Sequence, residues 1–239
     1  MFQTISSMIR WTLFFPAFII GMLLMILVGL FNIEWLYAIS LPVCKVLSWT
    51  VGAKINVVGE FPRDENFVVM TNHSSFFDPF IFPYFMKGMY TGIVADNNLK
   101  YPVWKQFLNR MNAIPVNRKN HKKAIESIKK GEEVLRKGYH IGILPEGTRT
   151  LTGKLGKLKK GGFHLAMNTK ASIILIGING TFKLKPKTTW KLTPCEIIVK
   201  IGKPIPFSVY ESKGIDGLLE MAEKELKILT GEIEPEIIR

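Results

Sequence analysis

Residues 67–78 read Phe67-Val68-Val69-Met70-Thr71-Asn72-His73-Ser74-Ser75-Phe76-Phe77-Asp78. An unbroken apolar run followed by a polar turn is the pattern of a strand buried on both faces that opens into a loop. Pro79 comes next, and proline suits the first position of a helix. Strand, turn and helix in that order are the repeating piece of an α/β sheet. The turn also carries an imidazole and a carboxylate five positions apart. His73 can take a proton near neutral pH, and Asp78 can fix its tautomer and stabilise its cation. Fully extended, five residues span roughly 16 Å, so this pairing requires Ser74–Phe77 to turn tightly. The alternative is that Asp78 only caps the following helix and His73 is an ordinary loop histidine.

Working outward, seven short apolar or alternating runs predict strands: Lys54–Glu60, Asn66–Asn72, Tyr90–Asp96, Asn112–Asn117, Tyr139–Glu146, Ser172–Gly180 and Glu196–Gly202. Between and after them, helices are expected over Pro79–Met86, Asn98–Met111, Asn120–Lys137, Gly162–Lys170 and Asp216–Leu229. The alternation predicts an α/β fold, a largely parallel or mixed sheet covered by helices, with antiparallel edges added by the final third. In such sheets ligands gather at the carboxyl ends of the strands. Three polar segments end there: Asn72–Asp78, Asn117-Arg118, and Pro145-Glu146-Gly147-Thr148-Arg149.

The chain has 239 residues, with 32 Lys+Arg against 19 Asp+Glu, a formal charge of +13. Residues 1–53 carry only Arg10, Glu34 and Lys45, so the excess lies in residues 54–239. A basic domain behind an apolar leader suggests an anionic membrane surface or an anionic substrate. No basic recognition helix, zinc-finger spacing or aromatic RNA-binding motif is present, which argues against nucleic acid. Trp11 to Ile33 is uncharged and long enough to cross a bilayer, and Trp35 to Ala53 is broken only by Lys45. The expected division is a membrane-associated helical hairpin over 1–53, spanning twice or dipping into one leaflet, and an α/β domain over 54–239. A hairpin returns the chain to its starting side, so the basic domain is expected in the cytoplasm, by the positive-inside bias. Cys44 and Cys195 stand far apart in apolar settings, which predicts no disulfide and no metal site.

Other segments bear on chemistry. Gly147 permits close backbone approach, Thr148 offers a hydroxyl, and Arg149 offers a planar fork suited to phosphate. Glu146 is placed to orient Arg149 or to accept a substrate hydroxyl; a surface turn with an ion pair is the competing reading. Lys100, Arg118, Lys159 and Lys160 form a further set of cations, whereas Lys154, Lys157, Lys183, Lys185 and Lys187 read as a solvated basic face. Neither a nucleotide-binding Gly-rich loop nor a Gly-x-Ser-x-Gly elbow occurs.

Asn72–Asp78, then Ile114-Pro115-Val116-Asn117-Arg118, then Leu144-Pro145-Glu146-Gly147-Thr148-Arg149-Thr150, together resemble the glycerolipid acyltransferase family, and within it the bacterial 1-acyl-sn-glycerol-3-phosphate acyltransferases. Leu158-Lys159-Lys160-Gly161-Gly162 is similar to the family's basic stretch ending in Gly. The chain departs from the family at Leu144, where Phe is usual, and at Ser172–Ile176, which lacks the usual prolines.

The resemblance implies that His73 is a general base and Asp78 its orienting carboxylate. Lys100, Arg118, Arg149 and Lys159 would bind the acceptor phosphate, with Glu146, Gly147 and Thr148 shaping the site. The implied reaction moves a fatty acyl group from acyl-CoA or acyl carrier protein, as co-substrate, to the free hydroxyl of 1-acyl-glycerol-3-phosphate, giving phosphatidic acid. It needs no metal and no bound cofactor. The implied location is the bacterial inner membrane, with the catalytic domain on the cytoplasmic side. The proline-free strand leaves another lysophospholipid or a lyso-aminolipid as the alternative acceptor. A non-enzymatic, basic lipid-binding membrane protein is the reading from a different class.

Overall fold

The computed structural model describes residues 1–116 and 121–234. Its first two helices, α1 (Phe2–Phe31) and α2 (Ile33–Val51), are joined only by Asn32, whose side-chain oxygen accepts the Glu34 N–H at 2.7 Å. They form an antiparallel hairpin. A Cβ on Gly21 would lie 2.6 Å from a Val43 methyl, and one on Gly29 would lie 2.8 Å from a Leu36 methyl. The two glycines therefore let the helices close on each other. The buried residues of α1 are Ser7, Phe14, Gly21, Met25 and Gly29, one stripe at steps of seven and four. Much of the rest of its surface is apolar and exposed, including Ile20, Leu23, Leu24, Leu27 and Leu30.

Seven strands follow: β1 (Ala53–Val58), β2 (Val68–Thr71), β3 (Tyr90–Ala95), β4 (Ile114–Val116), β5 (His140–Ile143), β6 (Ile173–Asn179) and β7 (Cys195–Ile201). They form one mixed sheet in the order β1-β7-β6-β2-β5-β3-β4. All neighbouring pairs are parallel except β6 with β7. The expected antiparallel element is thus present but lies one strand in from the edge. The edge strand is β1, which pairs in parallel with β7, Ala53 opposite Cys195. That long-range pairing has no local signature.

Between the strands lie α3 (Phe82–Phe85), α4 (Pro102–Arg110), α5 (His121–Arg136), α6 (Gly161–Thr169) and α7 (Thr181–Leu184), and after β7 come α8 (Phe207–Tyr210) and α9 (Gly214–Leu229). The strands β2 and β5 are buried at every position, and β6 at all but its last. Helices on both faces account for this, and for runs without alternation. The core centres on Val68, Met70, Ile141, Phe163, Ile174 and Ile176, all at most 4 % exposed. The predicted helix over Asn98–Met111 begins late, because Asp96–Lys100 forms a 3₁₀ turn and Pro102 opens α4. The predicted strand Tyr139–Glu146 stops at Ile143, since Pro145 has no N–H and Gly147 adopts a φ of +69°.

The hairpin packs on this sheet through aromatic rings. Phe76 sits 5.4 Å from Trp11, and Phe80 sits 5.7 Å from Phe18, centroid to centroid. The two phenylalanines of the turn and the one after Pro79 therefore dock the loop beyond β2 onto α1.

Candidate active site

The loop after β2 and the loop after β5 stand side by side, because their strands are parallel hydrogen-bonded neighbours with Met70 opposite Ile143. Asn72 fixes where the first loop departs. Its amide oxygen accepts the Ile178 N–H at 2.7 Å, and its amide nitrogen donates to the Ile178 carbonyl at 2.9 Å. One side chain thus continues the ladder to β6 while the backbone turns away.

Ser74–Phe77 does turn tightly. Asp78 Oδ2 lies 2.8 Å from His73 Nδ1, and the same oxygen accepts the N–H groups of Ser74 at 2.8 Å and Ser75 at 2.9 Å. Asp78 is fully buried at the start of a 3₁₀ turn, Asp78–Ile81, and points back at His73 rather than capping the turn ahead of it. A carboxylate there accepts a hydrogen bond from the Nδ1–H, which leaves the lone pair of the neutral imidazole on Nε2. The His73 side chain is 17 % exposed, and the ring nitrogen engaged by Asp78 is Nδ1, not Nε2.

The second loop holds the backbone of His73 from both sides. The Glu146 Oε1 accepts the His73 N–H at 2.6 Å, and the Thr150 N–H donates to the His73 carbonyl at 2.9 Å. Glu146 Oε2 accepts the Gly156 N–H at 2.7 Å. Glu146 is 3 % exposed, and burial pushes its carboxyl above the ordinary value of 4.5, partly offset by those two N–H donors. Both of its oxygens therefore serve backbone amides, and neither is turned to Arg149.

The remaining expected residues are dispersed. Gly147 supplies the positive φ that lets the loop fold back. Thr148 is exposed and its hydroxyl accepts from Lys187 Nζ at 3.4 Å. Arg149 is half-buried and forms no ion pair with a described carboxylate. Lys159 is tied through its N–H to the Pro145 carbonyl at 2.9 Å, with its side chain exposed, while Lys160 pairs with Asp216 at 2.5 Å. Lys100 is exposed at the end of the 3₁₀ turn after β3, two strands across from β2. Arg118 lies outside the described residues. Lys185, grouped above with the solvated face, is instead half-buried beside Arg149. Its carbonyl accepts the Ser75 hydroxyl at 2.9 Å, and desolvation, with the Arg149 charge, lowers its ammonium pKa from 10.5.

Next to this polar cleft is an apolar cavity of about 350 Å³. It runs between the hairpin and β3, lined among others by Phe18, Met22, Val43, Phe80, Gly92 and Trp104. Phe76 and Leu144, from the two loops that hold His73, also line it. No local feature of the sequence marked this cavity, because its walls come from α1, α2, β3 and α4.

The chain matches the Acyltransferase family model over residues 54–179. It is 32 % identical to a 1-acyl-sn-glycerol-3-phosphate acyltransferase of Cocos nucifera over 74 % of this chain and 58 % of that protein. It is 30 % identical to one from Borreliella burgdorferi, over 82 % of this chain and 74 % of that one. The crystal structure of PlsC, the 1-acyl-sn-glycerophosphate acyltransferase of Thermotoga maritima, superposes with a TM-score of 0.83 at 21 % identity, covering 99 % of this chain and all of that one. The family model spans more than half the chain and contains both loops around His73, and the chain belongs to the Acyltransferase family.

Proposed function

We propose that the protein transfers a fatty acyl group from a thioester, acyl-CoA or acyl carrier protein, to the free hydroxyl of 1-acyl-glycerol-3-phosphate at a membrane surface, making phosphatidic acid. The observation that carries this reading is the His73–Asp78 pair, with Asp78 on Nδ1, beside an apolar cavity of about 350 Å³. His73 Nε2 takes the hydroxyl proton as the acceptor oxygen attacks the thioester carbonyl carbon. The new C–O bond forms, the C–S bond breaks, and the thiolate leaves with the proton returned by the imidazolium. Asp78 stabilises that cation, and no covalent acyl-enzyme is required. The cavity volume falls in the range of ligand sites, and an acyl chain gains about 0.8 kcal/mol per methylene buried there. Arg149, whose fork suits a phosphate, would bind the acceptor phosphate.

The family membership and the acceptor named for the coconut and Borreliella relatives support this substrate. The outward apolar faces of α1 support a membrane seat for the protein. Among the described residues α1 alone is long and apolar enough to cross a bilayer, and only 22 % of its most apolar stretch is buried. A basic domain beneath it suits anionic lipid on the cytoplasmic side.

Purified full-length protein assayed against a panel of lysolipids with both donors tests the reading. Transfer fastest to 1-acyl-glycerol-3-phosphate is expected. Transfer to a lyso-aminolipid or another lysophospholipid only would change the acceptor, and transfer to none would leave a lipid-binding protein.

A further inference from the structure

The connection between α7 and β7, residues 185–194, is held at both ends. Near its start the Ser75 hydroxyl donates to the Lys185 carbonyl at 2.9 Å, and Lys187 Nζ donates to the Thr148 hydroxyl at 3.4 Å. Farther on, the Trp11 indole donates to the Trp190 carbonyl at 2.8 Å, and the Leu192 N–H donates to the Ser7 hydroxyl at 2.9 Å. Ser7 is fully buried, so this second tie is shielded from water. The strap thus runs from α1 to the mouth of the cleft, and it delivers two lysines to the loop that carries Arg149. Lys185 Nζ also lies 5.8 Å from the centre of the Phe76 ring, a cation–π distance, on the residue that lines the acyl cavity.

Arg149 and Lys185 lie close enough for their charges to interact, and Lys187 reaches the hydroxyl of Thr148 next to Arg149. Although the Lys185 ammonium donates to the Pro186 carbonyl at 3.0 Å, none of the three cations forms an ion pair with a described carboxylate. The Arg149 charge disfavours a second cation at Lys185, and an anion bound between them would relieve that repulsion. Burial is the larger cause of the depressed Lys185 ammonium pKa, and the neighbouring Arg149 charge adds to it. A lysine that only attracted a lipid surface would have no reason to be half-buried against Phe76, as Lys185 is.

We propose that Lys185 and Lys187 are substrate-binding residues that complete, with Arg149, a phosphate site at the cleft mouth. This rests on the acyl-transfer reading for its substrates, both of which carry phosphate: the acceptor on its glycerol, the donor on its pantetheine arm or nucleotide. The strap would set the distance between that phosphate and His73, because the Ser75 tie belongs to the same turn that holds the imidazole.

The test uses the full chain in lipid–detergent micelles, with the variants Lys185→Met, Lys187→Met and Lys185→Arg. Binding of sn-glycerol 3-phosphate is measured by calorimetry, with inorganic phosphate as a second probe, so that this arm does not depend on turnover. Each Met variant is expected to weaken binding about tenfold, the low end for one charge-assisted contact, while Lys185→Arg stays within about threefold. In the kinetic arm, a rise in the KM for the acceptor at constant kcat assigns the site to the acceptor phosphate. A rise in the donor KM alone assigns it to the donor. Wild-type melting in all three variants keeps loss of folding separate from loss of charge. If glycerol 3-phosphate and phosphate bind the Met variants as they bind the wild type, the proposal is overturned, whatever the transfer assay shows. Glycerol 3-phosphate binding without acyl transfer in the wild type would instead remove the function and leave the phosphate site standing.

Discussion

Replacing Asp78 by Asn is expected to slow acyl transfer by about 10²- to 10⁴-fold with the fold intact. One oxygen of Asp78 serves three donors: the His73 ring at 2.8 Å and the amides of Ser74 and Ser75 at 2.8 and 2.9 Å. Asn in the same pose keeps an oxygen for the two amides but carries no charge. When His73 becomes a cation, a unit charge pair at this separation is worth about 6 kcal/mol at an effective dielectric constant of 20. His73 is 17 % exposed, and halving the figure for that solvent leaves about 3 kcal/mol, so the rate loss runs from about 10²-fold to 10⁴-fold. Ala is the poorer test, because it strips both buried amides of their acceptor at roughly 1–3 kcal/mol each. The assay is steady-state transfer at saturating donor and acceptor, with the melting temperature followed by circular dichroism. An Asn variant within threefold of wild type would refute the electrostatic role of Asp78.

Glu146→Gln addresses the second loop. Burial holds this carboxyl above 4.5, so on acidification its grip on the His73 amide changes at a higher pH than an ordinary carboxylate would allow. Protonation of the His73 base slows transfer in acid in both proteins, but the further loss of kcat that comes from Glu146 is expected in the wild type and absent in Glu146→Gln. The sign for stability is the reverse of the usual acid case: the folded state holds this proton more tightly than the unfolded chain. Stability relative to Glu146→Gln should therefore fall as pH rises from 4.5 through the raised value, and stay level above it; denaturant titrations across that window check the slope. Gly92→Leu addresses the cavity. A Cβ there would meet only the Gly142 carbonyl, at 3.7 Å, so the side chain enters the cavity rather than the sheet. Across a ladder of acyl-CoA lengths the preferred donor should become shorter, with turnover of the shortest donors kept; an unchanged ladder would place the acyl chain elsewhere.

The parts of this molecule that could be read from the sequence are those set by near neighbours. Phe67–Met70 announced a doubly buried strand, and the turn Asn72–Asp78 could bring His73 and Asp78 together because only four residues separate them. The family resemblance pointed to the same pair. What escaped was tertiary. The edge position of β1 depends on a partner more than a hundred residues away. Glu146 looked like a substrate or arginine partner, yet its oxygens are taken by backbone amides from two other segments. Lys185 looked like solvated surface, since nothing local reveals that Ser75 holds its carbonyl. The helices α7 and α8, four residues each, are too short to show a period.

The central claim is that His73 is the base of an acyl transfer. Its most direct test is transfer from a thioester to 1-acyl-glycerol-3-phosphate by purified, membrane-reconstituted His73→Ala. Background transfer is expected from a protein that melts and sediments with vesicles as the wild type does. Transfer within tenfold of wild type would contradict it.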